Sequence, residues 1–143
     1  MSIEKIIYRA KAKATGGCDG RTTSSDGVLD VKLGLPKEMG GQGGAVTNPE
    51  QLFTAGYSAC FLGALKHVAA QAKIPLSSET FIKGTVGIGA IATGFAIEVR
   101  LEIYLPWVER SVAEDLVQKT HVVCPYSNAT RNNIDVSLQV ITA

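Results

Sequence analysis

The sequence predicts an α+β fold. Strand-like segments precede and follow one long apolar helix, and a shorter amphipathic helix comes before a final strand. This order of strands, helix, strands, helix and strand is typical of α+β proteins. A chain of 143 residues is long enough to bury one real core. It carries no repeats and no internal linker, so we expect a single domain over residues 1–143.

The N-terminal part predicts an edge strand followed by a hairpin. Residues 8–14 alternate between basic and uncharged side chains, which is the period of two expected for a strand with one wet face. Residues 21–33 predict a hairpin whose turn is Asp26-Gly27. The glycine-rich residues 40–44 that follow lack the lysine and hydroxyl of a phosphate-binding loop.

The central helix is predicted over residues 48–73. Asn48 is a favourable N-cap, Pro49 suits the first turn, and Pro75 stops the helix. Its middle is apolar nearly all round, so we expect it to be buried. A sheet in so small a chain covers only one side of such a helix. The other side therefore predicts a partner subunit, and we expect a homodimer.

The C-terminal half predicts strands around a second helix. The predicted elements there are two strands, the second over 97–105, a helix over 109–121, a helical turn over 127–133 and a last strand over 134–141. We expect Val112, Leu116 and Val123 to form the inner face of the second helix.

The composition excludes several classes of function. A net charge of +1 leaves no electrostatic footprint for nucleic acid or an anionic membrane. We find no signal-peptide pattern and no apolar stretch long enough to span a bilayer, so we expect a cytoplasmic protein. In a reducing compartment, three cysteines favour catalysis, metal binding or core packing over a disulfide scaffold. His67 and His121 lack metal-ligand spacing with the cysteines, so we expect no metal site.

Two cysteines lie in contrasting settings. Cys60 lies in the middle of the apolar helix, whereas Cys124 precedes Pro125 on a segment whose backbone is restricted. One rigidly held thiol and one on a segment that can swing suggest a reacting pair. A structural bridge and simple core packing are the alternatives. Cys18, between Gly17 and Asp19, is predicted to be exposed and incidental.

A reactive Cys60 needs a charge partner. Burial in apolar surroundings raises the pKa of a thiol, because it disfavours the thiolate. An arginine at about 4 Å would contribute on the order of 4 kcal/mol at an effective dielectric constant of about 20, enough to offset that effect. Arg21 is the candidate cation, and Glu50 is the candidate carboxylate that would hold it. An ordinary surface arginine and a first-turn helix glutamate are the competing interpretations.

Several segments resemble one known family. They are TNPEQLF at 47–53, AGYSACF at 55–61 and HVVCPYSNATR at 121–131, supported by VLDVKL at 28–33 and VGIG at 86–89. Together they closely resemble the organic hydroperoxide resistance (Ohr) branch of the OsmC/Ohr family, and the resemblance covers essentially the whole chain. It implies an OsmC/Ohr-like fold, with antiparallel sheets around a long buried central helix, in an intertwined homodimer.

The resemblance also implies residue roles and partners. Cys60 matches the peroxidatic cysteine and Cys124 the resolving cysteine, with a redox-active disulfide between them. Glu50 matches the glutamate that, with an arginine, holds the thiolate. No bound cofactor is implied. The reductant would be an external dihydrolipoyl group on a lipoylated protein.

One segment departs from the family pattern. The family's N-terminal pattern reads Gly-Gly-Arg-Asp-Gly, whereas Cys18 here occupies the arginine's place. Arg21, three residues further on, is the nearest cation, and an odd offset along a strand reverses the direction of a side chain. Arg21 is therefore not an automatic substitute.

Together with the two cysteines, the resemblance implies a thiol-dependent peroxidase. It would reduce alkyl and fatty-acid hydroperoxides to alcohols through a Cys60 sulfenic acid and a Cys60–Cys124 disulfide, which a lipoyl dithiol reopens. The alternative is a non-enzymatic thiol-based peroxide sensor or small-ligand binder on the same fold. The missing arginine pattern keeps this alternative open.

Overall fold

The computed structural model describes residues 1–142, and the chain divides into two compact units, residues 1–49 and the part from Glu50 onward. Each unit contains one three-stranded sheet. The assignment of a single domain stays a prediction. Within residues 1–142, none of the helices combines the length and the apolar character needed to cross a bilayer.

The first unit is built on a small antiparallel sheet. Its strands, in spatial order, are β1 (Ala12–Thr15), β2 (Arg21–Ser24) and β3 (Asp30–Lys32). The hairpin predicted over residues 21–33 is confirmed, since β2 and β3 pair antiparallel. The Asp26 carboxylate accepts the Val28 N–H at 3.0 Å and so stabilises the turn between them.

The first strand begins later than predicted. It starts at Ala12 rather than near residue 8, and all four of its residues are exposed. Its length follows the partner strand, since it pairs with β2 along its whole extent. The turn from β1 to β2 is a single 3₁₀ turn, Gly17–Asp19, which carries Cys18. The expectation that Cys18 is exposed is confirmed.

The second unit is organised around α1 (Pro49–Gln71), which confirms the long central helix. The helix ends before Pro75, where Lys73 adopts a left-handed backbone (φ 57°) and its N–H bonds to the Ala70 carbonyl at 3.1 Å. The opposite side from the core, with Ala55 and Ala59, is exposed within the chain. The buried face has residues spaced three or four apart along the helix, namely Tyr57, Phe61, Leu65, Val68 and Ala69.

The sheet of the second unit is mixed. Its strands, in spatial order, are β4 (Phe81–Ile91), β5 (Gly94–Tyr104) and β6 (Val136–Ile141). β4 and β5 form one long antiparallel hairpin, but β6 pairs parallel to β5. The expectation of antiparallel sheets is therefore corrected for this pair. The chain passes through two helices between β5 and β6, and such a crossover permits parallel pairing.

Two helices link β5 to β6. They are α2 (Arg110–Val123), with Glu109 as N-cap, and α3 (Pro125–Thr130). The predicted inner face of α2 is right for Leu116 but wrong for Val112 and Val123, which are 37% and 47% exposed. Val112 is one residue before the buried Ala113, and Val123 is the last residue of the helix. The buried residues follow the helical period instead, and they are Ala113, Leu116, Val117 and Thr120, continued by Cys124.

The core of this unit joins α1, β5 and α2. From β5 it includes Val99, Leu101 and Ile103, which face inward at every second position. A glycine in β4 lets the helix approach the sheet closely. A Cβ on Gly84 would lie 2.4 Å from Thr54 Oγ1 and equally close to Ser58 Oγ of α1. The part of α1 just before Cys60 therefore rests directly on the sheet.

Candidate active site

The structure brings Cys60 and Cys124 together. The two residues are 64 positions apart in the sequence, yet their sulfur atoms are 3.9 Å apart. Both thiols are unlinked. A disulfide needs an S–S distance of about 2.05 Å, so a shift of about 2 Å would join them. This is the geometry of a reduced pair that is close enough to react.

The two thiols differ in exposure because of the helices that carry them. Cys60 lies on α1 beside its buried face and is only partly buried, whereas Cys124 is completely buried. Cys124 lies four residues after Thr120 and so continues the inner face of α2. Cys60 is therefore the more exposed of the two cysteines.

Cys124 forms the junction between α2 and α3. Its backbone is extended (φ −62°, ψ 124°), the conformation expected for a residue before proline. Its N–H donates to the Thr120 carbonyl at 2.8 Å, and its own carbonyl accepts the Asn128 N–H at 3.0 Å. Pro125 then starts α3 at a position where no N–H is needed. The thiol is thus held by one helix on each side.

Opposing effects act on the Cys60 thiol. Burial raises the pKa of Cys60, and the neighbouring Cys124 raises it further when it carries a negative charge. The backbone N–H of Tyr126 works in the other direction, because it donates a hydrogen bond to the Cys60 sulfur and lowers the pKa. The net direction is upward. Sequence reasoning missed Tyr126, since a backbone donor leaves no signature in residue type.

The Tyr126 side chain anchors this donor on α1. Its ring packs against Tyr57 and Phe53, with centroid distances of 5.5 and 5.9 Å. Its hydroxyl lies over Gly56, where a Cβ would be only 2.7 Å from the oxygen. Glycine at position 56 therefore makes room for Tyr126.

A chain of polar groups lies beside the thiols. The Tyr57 hydroxyl is 2.8 Å from Ser127 Oγ and 3.3 Å from Thr130 Oγ1. Ser127 Oγ is also 2.8 Å from Nδ1 of His121, and Thr130 Oγ1 donates to the Tyr126 carbonyl at 2.9 Å. Tyr57, Ser127 and Thr130 are buried. The chain connects α1 to both ends of the α2–α3 junction.

His121 is held in its neutral form. Burial lowers the pKa of His121, and the positive charge of Arg131 lowers it further. Arg131 donates to the His121 carbonyl and, at 2.8 Å, to Asn128 Oδ1. At pH 7 the imidazole is therefore uncharged.

Arg21 and Glu50 are the remaining site candidates. Arg21 on β2 forms an ion pair with Asp30 on β3, with 2.6 Å between Nε and Oδ1, and both side chains are about half exposed. The Asp30 carboxylate raises the pKa of Arg21. Glu50 is partly buried in the first turn of α1. The roles of Arg21 and Glu50 in tuning the thiolate stay predictions. Among residues 1–142, no cluster of three His, Cys, Asp or Glu side chains has the arrangement of a metal site.

The family model described as OsmC-like protein matches residues 41–139. This match covers well over half of the sequence, and the chain belongs to the OsmC/Ohr family. Its relatives narrow the class further. It is 58% identical to the organic hydroperoxide resistance protein of Xanthomonas axonopodis pv. citri, over 96% of both chains. It is 46% identical to the organic hydroperoxide resistance protein OhrB of Bacillus subtilis, over 94% of this chain and 98% of that one.

Solved structures agree with this assignment and confirm the predicted OsmC/Ohr-like fold. An organic hydroperoxide resistance protein from Elizabethkingia anophelis, with thiocyanate bound, matches with a TM-score of 0.92 and 48% identity over 97% of this chain and 99% of that one. A putative organic hydroperoxide resistance protein from Vibrio cholerae, with captopril in one of its active sites, matches with a TM-score of 0.91 and 46% identity over 97% and 95%. The chain thus resembles organic hydroperoxide resistance proteins along nearly all of its length.

Proposed function

We propose that this protein is a thiol-dependent peroxidase that reduces alkyl and fatty-acid hydroperoxides to alcohols. The 3.9 Å between the Cys60 and Cys124 sulfur atoms is the observation that carries the proposal. The relatives named organic hydroperoxide resistance protein support the choice of substrate class. The partly buried Phe53 and Leu62, packed against the core on the helix of Cys60, favour an apolar peroxide.

In the first step, Cys60 attacks the peroxide. The thiolate bonds to the outer peroxide oxygen, the O–O bond breaks, and the alkoxide leaves as an alcohol after it takes up a proton. Cys60 becomes a sulfenic acid. The Tyr126 N–H stabilises the thiolate, but burial opposes it. A cation is therefore required, and Arg21 oriented by Glu50 is the proposed source.

In the second step, Cys124 resolves the sulfenic acid. Its sulfur attacks the Cys60 sulfur, a disulfide forms, and the hydroxyl leaves as water with the Cys124 proton. The sulfur atoms are 3.9 Å apart, so a shift of about 2 Å at the α2–α3 junction brings them to bonding distance. Because Cys124 is buried, its own thiol is shielded from external oxidants.

In the third step, an external dithiol reduces the disulfide. One sulfur of a dihydrolipoyl group attacks, and the second closes the lipoyl ring, which returns both cysteines to thiols. Cys60 is the more accessible of the two sulfur atoms, so the mixed disulfide forms there. A lipoylated protein is the proposed reductant, and no bound cofactor is required.

The proposed assembly is a homodimer. The side of α1 that carries Ala55 and Ala59 is exposed within the chain, although the helix is apolar nearly all round. Large apolar residues are exposed on the sheet as well, including Phe81 at 50% and Phe95 at 77%. Exposed apolar surface of this kind favours a subunit interface.

Turnover of tert-butyl hydroperoxide with dihydrolipoamide tests the proposal. Wild-type protein should consume peroxide catalytically, and Cys60→Ser should abolish turnover. Cys18→Ser is the matched control, because it removes an exposed thiol instead. Equal turnover in wild type and Cys60→Ser would disprove the proposed mechanism.

A thiol-based peroxide sensor is the second candidate function. The position of Cys18, where the family pattern has an arginine, keeps it open, because that arginine would polarise the thiolate for turnover. Mass spectrometry after one equivalent of organic peroxide separates the two. A stable sulfenic acid or a bridge between subunits supports sensing. An internal Cys60–Cys124 bridge that dihydrolipoamide promptly opens supports the enzyme.

A further inference from the structure

We infer that Tyr57 is a positioning residue for the resolving thiol, because its hydroxyl ties the α2–α3 junction to the helix that carries Cys60. Tyr57 is three residues before Cys60 on α1, and Ser127 is three residues after Cys124. Two contacts therefore lie one helical turn apart across the same interface, Tyr57–Ser127 at 2.8 Å between oxygens and Cys60–Cys124 at 3.9 Å between sulfurs. The consequence for turnover rests on the proposed function.

The contact between the Tyr57 hydroxyl and Ser127 Oγ is fully buried. Tyr57 and Ser127 are both 0% exposed, so water cannot replace either partner. Removing the Tyr57 hydroxyl would leave Thr130 and Ser127 each short of one hydrogen bond. The junction can recover those bonds only by moving away from α1, and such a movement carries Cys124 with it.

The directions of the hydrogen bonds support a single connected unit. Thr130 donates its proton to the Tyr126 carbonyl, so it accepts from Tyr57. Tyr57 has only one proton, and Ser127 therefore donates to Tyr57. His121 must then donate from Nδ1 to Ser127. All four contacts are satisfied only in this order.

This unit reaches both sides of the reacting sulfur atoms. It ends on the carbonyl of Tyr126, whose own N–H donates to the Cys60 sulfur. It begins at His121, three residues before Cys124 in the last turn of α2. Tyr57 is the only member on α1, so its hydroxyl is where this chain crosses between the helices.

Disulfide formation in a glutathione redox buffer tests the inference without any peroxide. In this exchange, two protein thiols reduce oxidised glutathione to two glutathione molecules as the Cys60–Cys124 bond forms. The fraction of bridged protein at equilibrium, measured by mass after acid quenching, gives the effective concentration of one thiol at the other. All variants carry Cys18→Ser so that the exposed thiol does not react.

Tyr57→Phe and Ser127→Ala should each lower that equilibrium constant by about fivefold to tenfold, the effect expected for one net hydrogen bond. Tyr104→Phe is the matched control. It removes a hydroxyl from a ring that packs on Phe81, with centroids 4.9 Å apart, and should leave the constant unchanged. After organic peroxide, Tyr57→Phe should also accumulate Cys60 sulfinic acid.

The outcomes separate the two hypotheses. An equilibrium constant for Tyr57→Phe within twofold of that for Tyr104→Phe overturns the positioning role, even if the protein is a peroxidase. If wild-type protein forms the Cys60–Cys124 disulfide in glutathione but never reacts with organic peroxide, the proposed function is overturned. The positioning role is then still decided by the equilibrium constants of the variants. Thermal unfolding of each variant shows whether it is folded at the assay temperature. If Tyr57→Phe is unfolded there, the equilibrium constant of folded Ser127→Ala decides whether the positioning role holds.

Discussion

The Tyr126 hydroxyl lies so close to Gly56 that a methyl group at position 56 would be 2.7 Å from its oxygen. The contact matters for chemistry because the backbone N–H of the same tyrosine donates to the Cys60 sulfur. A displacement of the Tyr126 ring from Gly56 therefore also displaces the Tyr126 N–H that donates to the Cys60 sulfur.

Gly56→Ala should weaken thiolate stabilisation at Cys60. The added methyl displaces Tyr126, its N–H moves away, and the pKa of Cys60 rises further. The rate of iodoacetamide alkylation against pH measures this. Gly63→Ala is the control on the same helix, since nothing within the chain lies within 4 Å of its new methyl group. It should leave the Cys60 pKa unchanged. A Gly56→Ala titration identical to wild type would contradict this.

Cys124→Ser should separate the two halves of the reaction. The first oxidation of Cys60 should not slow, because Cys124 takes no part in attack on the peroxide. The sulfenic acid then has no partner and should proceed to sulfinic acid, a gain of two oxygen atoms in the intact mass. Rapid, reversible oxidation of Cys124→Ser to a state with no added oxygen would rule out Cys124 as the resolving residue.

Cys60 should make the protein less stable at alkaline pH. Its pKa in the folded chain is raised above the unfolded value. Its contribution to stability is therefore complete below the unfolded pKa and is lost as pH rises through the folded pKa. Urea unfolding between pH 8 and the alkaline limit should show this loss in wild type. Cys60→Ala should show a flatter profile.

Cys124→Ala should lower the Cys60 pKa, because it removes a neighbouring negative charge.

His121 should produce the opposite dependence under mildly acidic conditions. Burial and Arg131 depress its folded pKa below the unfolded value of about 6.5. The stability it contributes is present above the unfolded pKa and is lost as pH falls through the folded pKa. Unfolding free energy should therefore decline below about pH 6.5 in wild type. His121→Asn should decline less, and an equal decline in both would assign the effect to other groups.

Arg21→Ala tests the proposed thiolate cation. If Arg21 offsets the burial of Cys60, its loss should slow the first oxidation step by about 100-fold, equivalent to two pKa units of lost stabilisation. Its ion pair with Asp30 is on the surface, so the free energy of unfolding should change little. Arg110→Ala, which removes a similar surface pair with Glu114, is the control. An unchanged oxidation rate in Arg21→Ala would show that Arg21 does not stabilise the Cys60 thiolate.

Local signals predicted the elements well. The hairpin at 21–33 depends on Asp26, whose side chain bonds to its own turn, and α1 ends where Pro75 requires. The parallel pairing of β6 could not be predicted, because alternation along a strand shows which face is buried but not which way its neighbour runs. Pairing is decided by the path of the chain through α2 and α3.

The sequence indicated the cysteine side chains of the candidate site but not its backbone hydrogen-bond donor. Cys60 and Cys124 were singled out because thiols are rare and chemically distinct, whereas the Tyr126 donor is a peptide N–H that any residue supplies. The burial of Cys124 did leave a signal, since it lies four residues after Thr120 on the stripe that also includes Leu116. The choice of Val123 for that stripe concealed it.

The 64-residue separation of Cys60 and Cys124 has a thermodynamic consequence. A crosslink that closes a loop of that length lowers the entropy of the unfolded chain enough to stabilise the native state by about 4 kcal/mol. Each passage through the oxidised form would temporarily staple α1 to the segment that follows α2. The protein would then resist heat and proteases most strongly just after it has met an oxidant, and lose that reinforcement when its thiols are restored.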